Sequence, residues 1–301
     1  MSVAKQPIKT SLKHSSVMSP INLNIAHVRI RIHCSEPACS DGIEALTELY
    51  THSNESGDVN LCFTIQPSTD GATLDCNGEH IWQGVEAGEV VAAFEWAFYN
   101  RIIDLLYPAF VSLHAATVNW REHGITIAGT SGAGKSSLCT AALLNGAEYF
   151  TDEYSLLDQQ GCITPFPRPL QWGATEHPAF SRQLMDDSGL FGEGTYAFTG
   201  HDGQPVTSLL WHPGHLAKEP INMSLLILPR FDASADPVQS EDVLRSQALM
   251  ELAEEMHHKL PVKDRLRELH QRIPDATRIV RLVFSDVHQA WKRVVQLLSD
   301  G

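Results

Sequence analysis

The spacing of apolar positions changes along the chain and divides it into parts. Residues 1–20 are polar and rich in serine and lysine, the composition of a loose arm. Over 25–32 apolar and polar residues alternate with period two, which predicts a strand, and 59–65 predicts a second. Residues 42–50 read as a short helix between them. Asn77-Gly78-Glu79 separates the apolar runs at 72–76 and 80–82. It signals a hairpin, because Asn-Gly accepts the positive φ of a type I′ turn. The period then lengthens to that of a helix over 89–106, stopped before Pro108. Trp96, Tyr99, Ile103 and Leu106 form its core-facing stripe rather than a cofactor box. Residues 21–107 are thus expected to form a small N-terminal α+β unit.

Beyond residue 108 strands and helices alternate. Strands are predicted at 110–118 and 124–128 around a polar turn at 119–123, and a helix over 136–144 is ended by Asn145-Gly146. A strand follows at 147–151. Residues 154–158 and 162–165 bracket Gln159-Gln160-Gly161 as a further hairpin. Later come a buried strand at 225–228, helices at 243–258 and 262–271, a strand at 278–284 and a closing helix at 287–298. Residues 166–222, rich in Gly, Pro and His, show no period that orders them, and there are no internal repeats. The alternation predicts an α/β domain over 108–301.

The chemistry of that domain is concentrated in GTSGAGKSS at 129–137, directly after the apolar run 124–128. Gly129, Gly134, Lys135 and Ser136 occupy the fixed positions of the pattern G-x-x-x-x-G-K-[ST], with Thr130, Ser131, Gly132 and Ala133 between them and Ser137 after. Glycines let backbone N–H groups turn toward phosphate oxygens, and Lys135 supplies a point charge for the β- and γ-phosphates. Ser136 offers a hydroxyl to Mg²⁺, and the helix start adds its positive end. The bland alternative is a glycine turn entering a helix.

Spacing places other residues beside this loop. A right-handed crossover through the helix makes 147–151 run parallel to 124–128, so both end at the carboxyl edge where open α/β sheets bind ligands. Asp152 and Glu153 follow that strand directly. A hairpin turning at 119–123 sets His114 opposite Gly129, and one turning at Gln160 brings Arg168 opposite Asp152. Phosphoryl transfer needs positioning and charge neutralisation. Asp152 is therefore the expected proton acceptor and Glu153 the expected metal partner; a solvated acidic turn is the alternative. Arg168 is a candidate clamp for a transferring phosphate or an ordinary surface ion pair with Asp152. His114 is a candidate phosphate contact, or a satisfied histidine between strands. His177, His201, His212 and His215 read as structural loop histidines, and His257-His258 as the solvated face of an acidic helix.

Composition limits the partners. The formal net charge of −14, from 36 acidic and 22 basic residues, excludes the electrostatic footprint of a nucleic-acid or anionic-membrane binder. No apolar stretch approaches the roughly 20 residues of a membrane span, and the N-terminus lacks the apolar centre of a secretory signal. The 6 cysteines form no C-x-x-C pair, so neither zinc nor a disulfide framework is suggested. A soluble, cytoplasmic protein is expected.

LHAA around His114, GTSGAGKSSL, NGAEYFTDEYSLLD and the PRP at 167–169 together resemble the bacterial HPr serine kinase superfamily. More closely they resemble HPr-kinase-related proteins of gene clusters for peptide modification or surface-polymer export. The phosphoenolpyruvate carboxykinases are similar in the acidic pair that closely follows the loop. The resemblance covers roughly 109–170. It implies a P-loop kinase core of the HPr kinase and carboxykinase type. It also implies an ATP- and Mg²⁺-dependent enzyme that phosphorylates a serine of a peptide or protein, with Lys135 and Ser136 at phosphate and metal, and Asp152 as base. Related enzymes often assemble, so a homo-oligomer is possible. Glu153 stands where HPr kinases place a second aspartate. No copy of the second glycine signature, associated with phosphorolysis, is present. Two other readings stay open: a small-molecule, carboxykinase-like kinase, and a nucleotide-gated binding protein without transfer activity.

Overall fold

The computed structural model describes residues 19–53, 57–172, 177–200 and 202–299; the expected arm over the first twenty residues lies almost wholly outside them, as does His201. Two strands, β1 (Ile21–Ile25) and β2 (Val28–Cys34), replace the single strand predicted at 25–32. They pair antiparallel through a two-residue turn in which Ala26 has φ 50°. An alanine there carries no turn signal, so the alternation on either side reads as continuous. Helix α1 (Pro37–Thr47) has Pro in its first turn and is capped by the Glu36 side chain, which accepts the Ala38 N–H. Strands β3 (Leu61–Ser68), β4 (Gly71–Cys76) and β5 (Glu79–Gly84) complete a sheet ordered β1-β2-β3-β4-β5. Asn77 (φ 52°) and Gly78 (φ 80°) make the expected β4–β5 turn.

Helix α2 (Ala87–Leu106) buries Phe94, Phe98, Tyr99 and Ile102 in the core of this sheet. Its stripe differs from the expected one. Tyr99, Ile103 and Leu106 are buried, but Trp96 is 65% exposed. Seven residues are not a whole number of helical turns, so Trp96 sits ~20° round from Ile103, just past the edge of the covered face.

The rest is an α/β arrangement around a mixed sheet. It contains β6 (Val111–Trp120), β7 (His123–Ala128), β8 (Glu148–Thr151), β9 (Tyr154–Leu157) and β10 (Cys162–Thr164), with α3 (Lys135–Leu144) between β7 and β8. The segment that showed no period holds α4 (Arg182–Ser188) and a ribbon of β11 (Phe191–Thr199) with β12 (Pro205–Pro213). This ribbon lies over α1 and α2, and no residue of β11 is fully buried, so few apolar positions announce it. Then follow β13 (Ile221–Phe231), β14 (Gln239–Asp242), α5 (Arg245–Glu254), α6 (Val262–Arg272), β15 (Arg278–Phe284) and α7 (Val287–Ser299). The sheet runs β10-β9-β6-β7-β13-β15-β14, and β8 also pairs with β6.

The strands β7, β13 and β15 are parallel neighbours covered on both faces. On β13, Leu225 and Ile227 join the core with Leu138 of α3 and Trp291 of α7, while Leu226 and Leu228 join Leu252 of α5 and Leu269 of α6. Because β7 and β8 are both antiparallel to β6, they run the same way and end at one edge of the sheet. That edge carries the glycine loop.

Arg272 ties the entry of β6 to the exit of β9. Its guanidinium donates to the carbonyls of Pro108 (2.7 Å), Ala109 (3.0 Å) and Leu157 (3.2 Å) and to Glu268 (3.0 Å), all at a buried site. Replacing it leaves those acceptors and the Glu268 charge unpaired. Arg272→Leu should lose about 3–5 kcal/mol of stability in urea denaturation. A loss below ~1 kcal/mol, the size of an exposed ion pair, would contradict this role.

Candidate active site

The loop between β7 and α3 is shaped by two left-handed glycines, Gly132 (φ 81°) and Gly134 (φ 101°). At Gly134 a Cβ would also lie 2.7 Å from the Phe284 ring, so a side chain is excluded by space as well as by backbone strain. Gly134 is the N-cap of α3, whose first-turn N–H groups therefore open toward the loop. Lys135 is buried and curls back over the loop, its Nζ donating to the carbonyls of Gly129 (2.6 Å) and Thr130 (3.1 Å). Desolvation lowers its pKa, and Glu153, Glu255 and Asp152 oppose that shift. A further hold comes from β13, where the Phe231 N–H donates to the Ala133 carbonyl (3.1 Å).

Asp152 follows β8 beside the start of α3. It is 2% exposed, and its Oδ1 is buried without a hydrogen-bond partner. Desolvation pushes its pKa up to about 7, although the Ser136 hydroxyl bonds to the carboxylate and, with Arg168 and Lys135, pulls the other way. Glu153 behaves oppositely. Burial pushes it up, but the His114 hydrogen bond and the charges of Arg168, His114 and His257 bring it down to about 2. Its Oε1 lies 3.3 Å from His114 Nε2, and its Oε2 lies 3.7 Å from Arg168 Nη1. The structure thus puts Ser136 with Asp152, and Glu153 with His114 and Arg168.

His114 is shared by two carboxylates, since its Nδ1 lies 2.9 Å from Glu255 Oε2. The Glu153 hydrogen bond raises its pKa against desolvation. The hairpin geometry behind its placement is correct: β6 and β7 pair Ala115 with Ala128, which continues to His114 beside Gly129. The second hairpin also has the expected register, Ile163 facing Leu157, but its ladder ends at Thr164. The chain then leaves the strand, and Arg168 faces Glu153 and Glu95 of α2 rather than Asp152 across a ladder. Its side chain is only 17% exposed and is paired with Glu95, not Asp152, which corrects the surface ion-pair alternative.

Two other expectations change. Helix α5 ends at Glu254, four residues before the predicted boundary, because the next residues join β6: the His114 N–H donates to the Glu255 carbonyl (2.7 Å), and the His257 N–H donates to the Ser112 carbonyl (3.1 Å). His257 and His258 are therefore not a solvated face. Ser112 donates its N–H to His258 Nε2 (3.0 Å), and its Oγ lies 3.1 Å from His257 Nδ1. Burial lowers the His257 pKa to about 4. His177 also has a site contact, its Nε2 lying 2.7 Å from Ser137 Oγ. Glu95, Glu255, His177 and His257 were not picked out as site residues. Only Glu255 carried a signal, in lying two residues before a histidine pair.

Beside the loop lies a cavity of about 520 Å³ lined by residues 128–133, the β13 end with Arg230 and Phe231, and Glu251, Glu254, Glu255 and Arg281. Arg281 is already paired with Glu251 (2.7 Å). Among the described residues no helix is long and apolar enough to cross a membrane, and no group of three or more His, Cys, Asp or Glu is arranged to hold a metal ion.

No family model matches the chain, and no curated protein matches it. Among solved structures, the HPr(Ser) kinase/phosphatase from Coxiella burnetii is similar at 13% identity, over 63% of this chain and 99% of that chain, with a TM-score of 0.23. A superposition this loose carries no functional assignment.

The buried carboxylate has a measurable signature. Below its ordinary value of 3.8, Asp152 is protonated whether the chain is folded or not; from there up to about 7 only the unfolded chain gives up the proton, so stability falls across that window and levels off above it. Asp152→Asn carries no such charge. Thermal denaturation should show a Tm above that of the wild type, by a margin that opens as pH climbs through this window. A margin independent of pH would contradict the burial argument.

Proposed function

We propose that the chain is an ATP- and Mg²⁺-dependent kinase that transfers the γ-phosphate to a serine hydroxyl of a peptide or protein. In this reading 108–301 is the P-loop kinase unit, and 21–107 an N-terminal unit packed against it. The observation that carries the proposal is Asp152: a buried carboxylate with one unpartnered oxygen, beside the glycine loop and raised to about 7. A proton acceptor works best when its pKa lies near the operating pH.

The loop and the start of α3 cradle the phosphates through backbone N–H groups, and Lys135 exchanges its loop carbonyls for phosphate oxygens. The donor set suits an ion that arrives with the nucleotide, since Mg²⁺ takes one or two carboxylates together with substrate phosphates. Ser136 and Glu153 would be its oxygen donors, which leaves Asp152 to take the acceptor proton; when bound, it would neutralise charge on the β- and γ-oxygens. The acceptor serine oxygen forms a bond to the γ-phosphorus as the bond to the β-bridging oxygen breaks. Its proton passes to Asp152, and ADP leaves with the electron pair. Arg168 adds positive charge on the side of Glu153, and His114, its pKa raised by the Glu153 hydrogen bond, adds more when protonated.

A small-molecule acceptor is the second reading, favoured by the two arginines of the cavity. The three glutamates there, and the commitment of Arg281 to Glu251, disfavour an anionic one. Radiolabelled ATP offered with serine peptides and with hydroxylated metabolites separates the two by where the label goes.

Asp152→Asn should lower turnover by about 10²–10⁴-fold, the usual contribution of a positioned base, while ATP affinity persists. Lys135→Ala should weaken ATP affinity and turnover together. Wild-type turnover in the first variant, or unchanged ATP binding in the second, would overturn these roles.

A further inference from the structure

Glu95 sits on α2, far in sequence from the loop, and is 7% exposed. Its Oε1 accepts from Arg168 Nε (3.0 Å) and Gln171 Nε2 (2.6 Å) and lies 2.8 Å from Arg168 Nη2; its Oε2 accepts from the Tyr196 hydroxyl (2.7 Å). One carboxylate therefore gathers the segment after β10, the ribbon strand β11 and the N-terminal helix. The grip on Arg168 is the informative part. A guanidinium is planar, and holding Nε and Nη2 on one carboxylate fixes the plane and leaves Nη1 with a single direction. That direction is toward Glu153, 3.7 Å away.

A buried ion pair serving stability alone would be satisfied by mutual contact. Here the arginine is also aimed, and the aim is held by Gln171 and Tyr196, which anchor Glu95 in turn. We propose that Glu95 is a positioning residue: it orients Arg168 so that the free edge of the guanidinium faces Glu153 and the transferring phosphate, and it makes the N-terminal unit a working part of the phosphotransfer site. The proposal rests on the kinase reading above.

The test compares Glu95→Gln, Arg168→Ala and the double variant in the full chain, reading kcat for turnover of Mg-ATP, ATP affinity and Tm. Glu95→Gln should lower kcat about 10–100-fold, the usual loss when a supporting partner of a site residue is removed. ATP affinity should stay unchanged, because the loop is untouched. The double variant should lose no more than Arg168→Ala, since Glu95 acts only through that side chain. Glu95→Asp keeps the charge but withdraws it by one methylene, and should lose kcat while remaining folded. If Glu95→Gln does not fold, this variant decides. Wild-type kcat in Glu95→Gln or Glu95→Asp, or losses that multiply in the double variant, would overturn the proposal. Normal turnover in Lys135→Ala and Asp152→Asn would overturn the kinase reading instead, and a wild type that turns over no ATP would overturn both.

Discussion

The Asp152 carboxylate is held dry against the start of α3, and the arrangement of the site follows from that constraint. A buried polar atom without a partner costs about 1–3 kcal/mol, so the fold must oppose it elsewhere. It does so with the Ser136 hydroxyl and with the charges of Arg168 and Lys135. None of them satisfies Oδ1, which stays buried beside the glycine loop without a hydrogen-bond partner. Sites that violate a packing rule in this way are where function is expected.

Glu153 shows what the neighbouring position does with the same chemistry. Consecutive residues at a strand exit point in different directions, so Asp152 turns inward and Glu153 toward β6 and α2. Inward there is little to stabilise a charge. Outward there are His114, Arg168 and the field of a crowded polar cluster. The two carboxyl groups are driven apart, to about 7 and about 2. Separation of adjacent titratable groups by environment is how one site supplies both a proton acceptor and a permanent charge. The backbone bridge of 255–257 to β6 matters here, because it delivers Glu255 to His114 and keeps that imidazole between two carboxylates.

Much of this is legible in the sequence alone. The glycine loop, the strand feeding it, the helix after it and the acidic pair at the next strand end are local features with strict spacing, and register arithmetic carried His114 to the correct place. What escaped was non-local. Arg168 meets Glu95 across 73 positions of sequence, and no periodicity links an exposed-looking acid on one helix to an arginine in an irregular segment. The β11–β12 ribbon was invisible because half its side chains face solvent. Residues 255–258 carry helical composition, but tertiary pairing with β6 outweighs that local preference.

The most direct measurement is a crystal structure with a non-hydrolysable ATP analogue and magnesium. The account predicts the phosphates on the N–H groups of 129–137, and an oxygen of Asp152 within about 3 Å, or one water, of the place an attacking hydroxyl takes at the γ-phosphate. Phosphates bound elsewhere, or a loop that grips them while Asp152 remains walled off from the terminal phosphate, would contradict it.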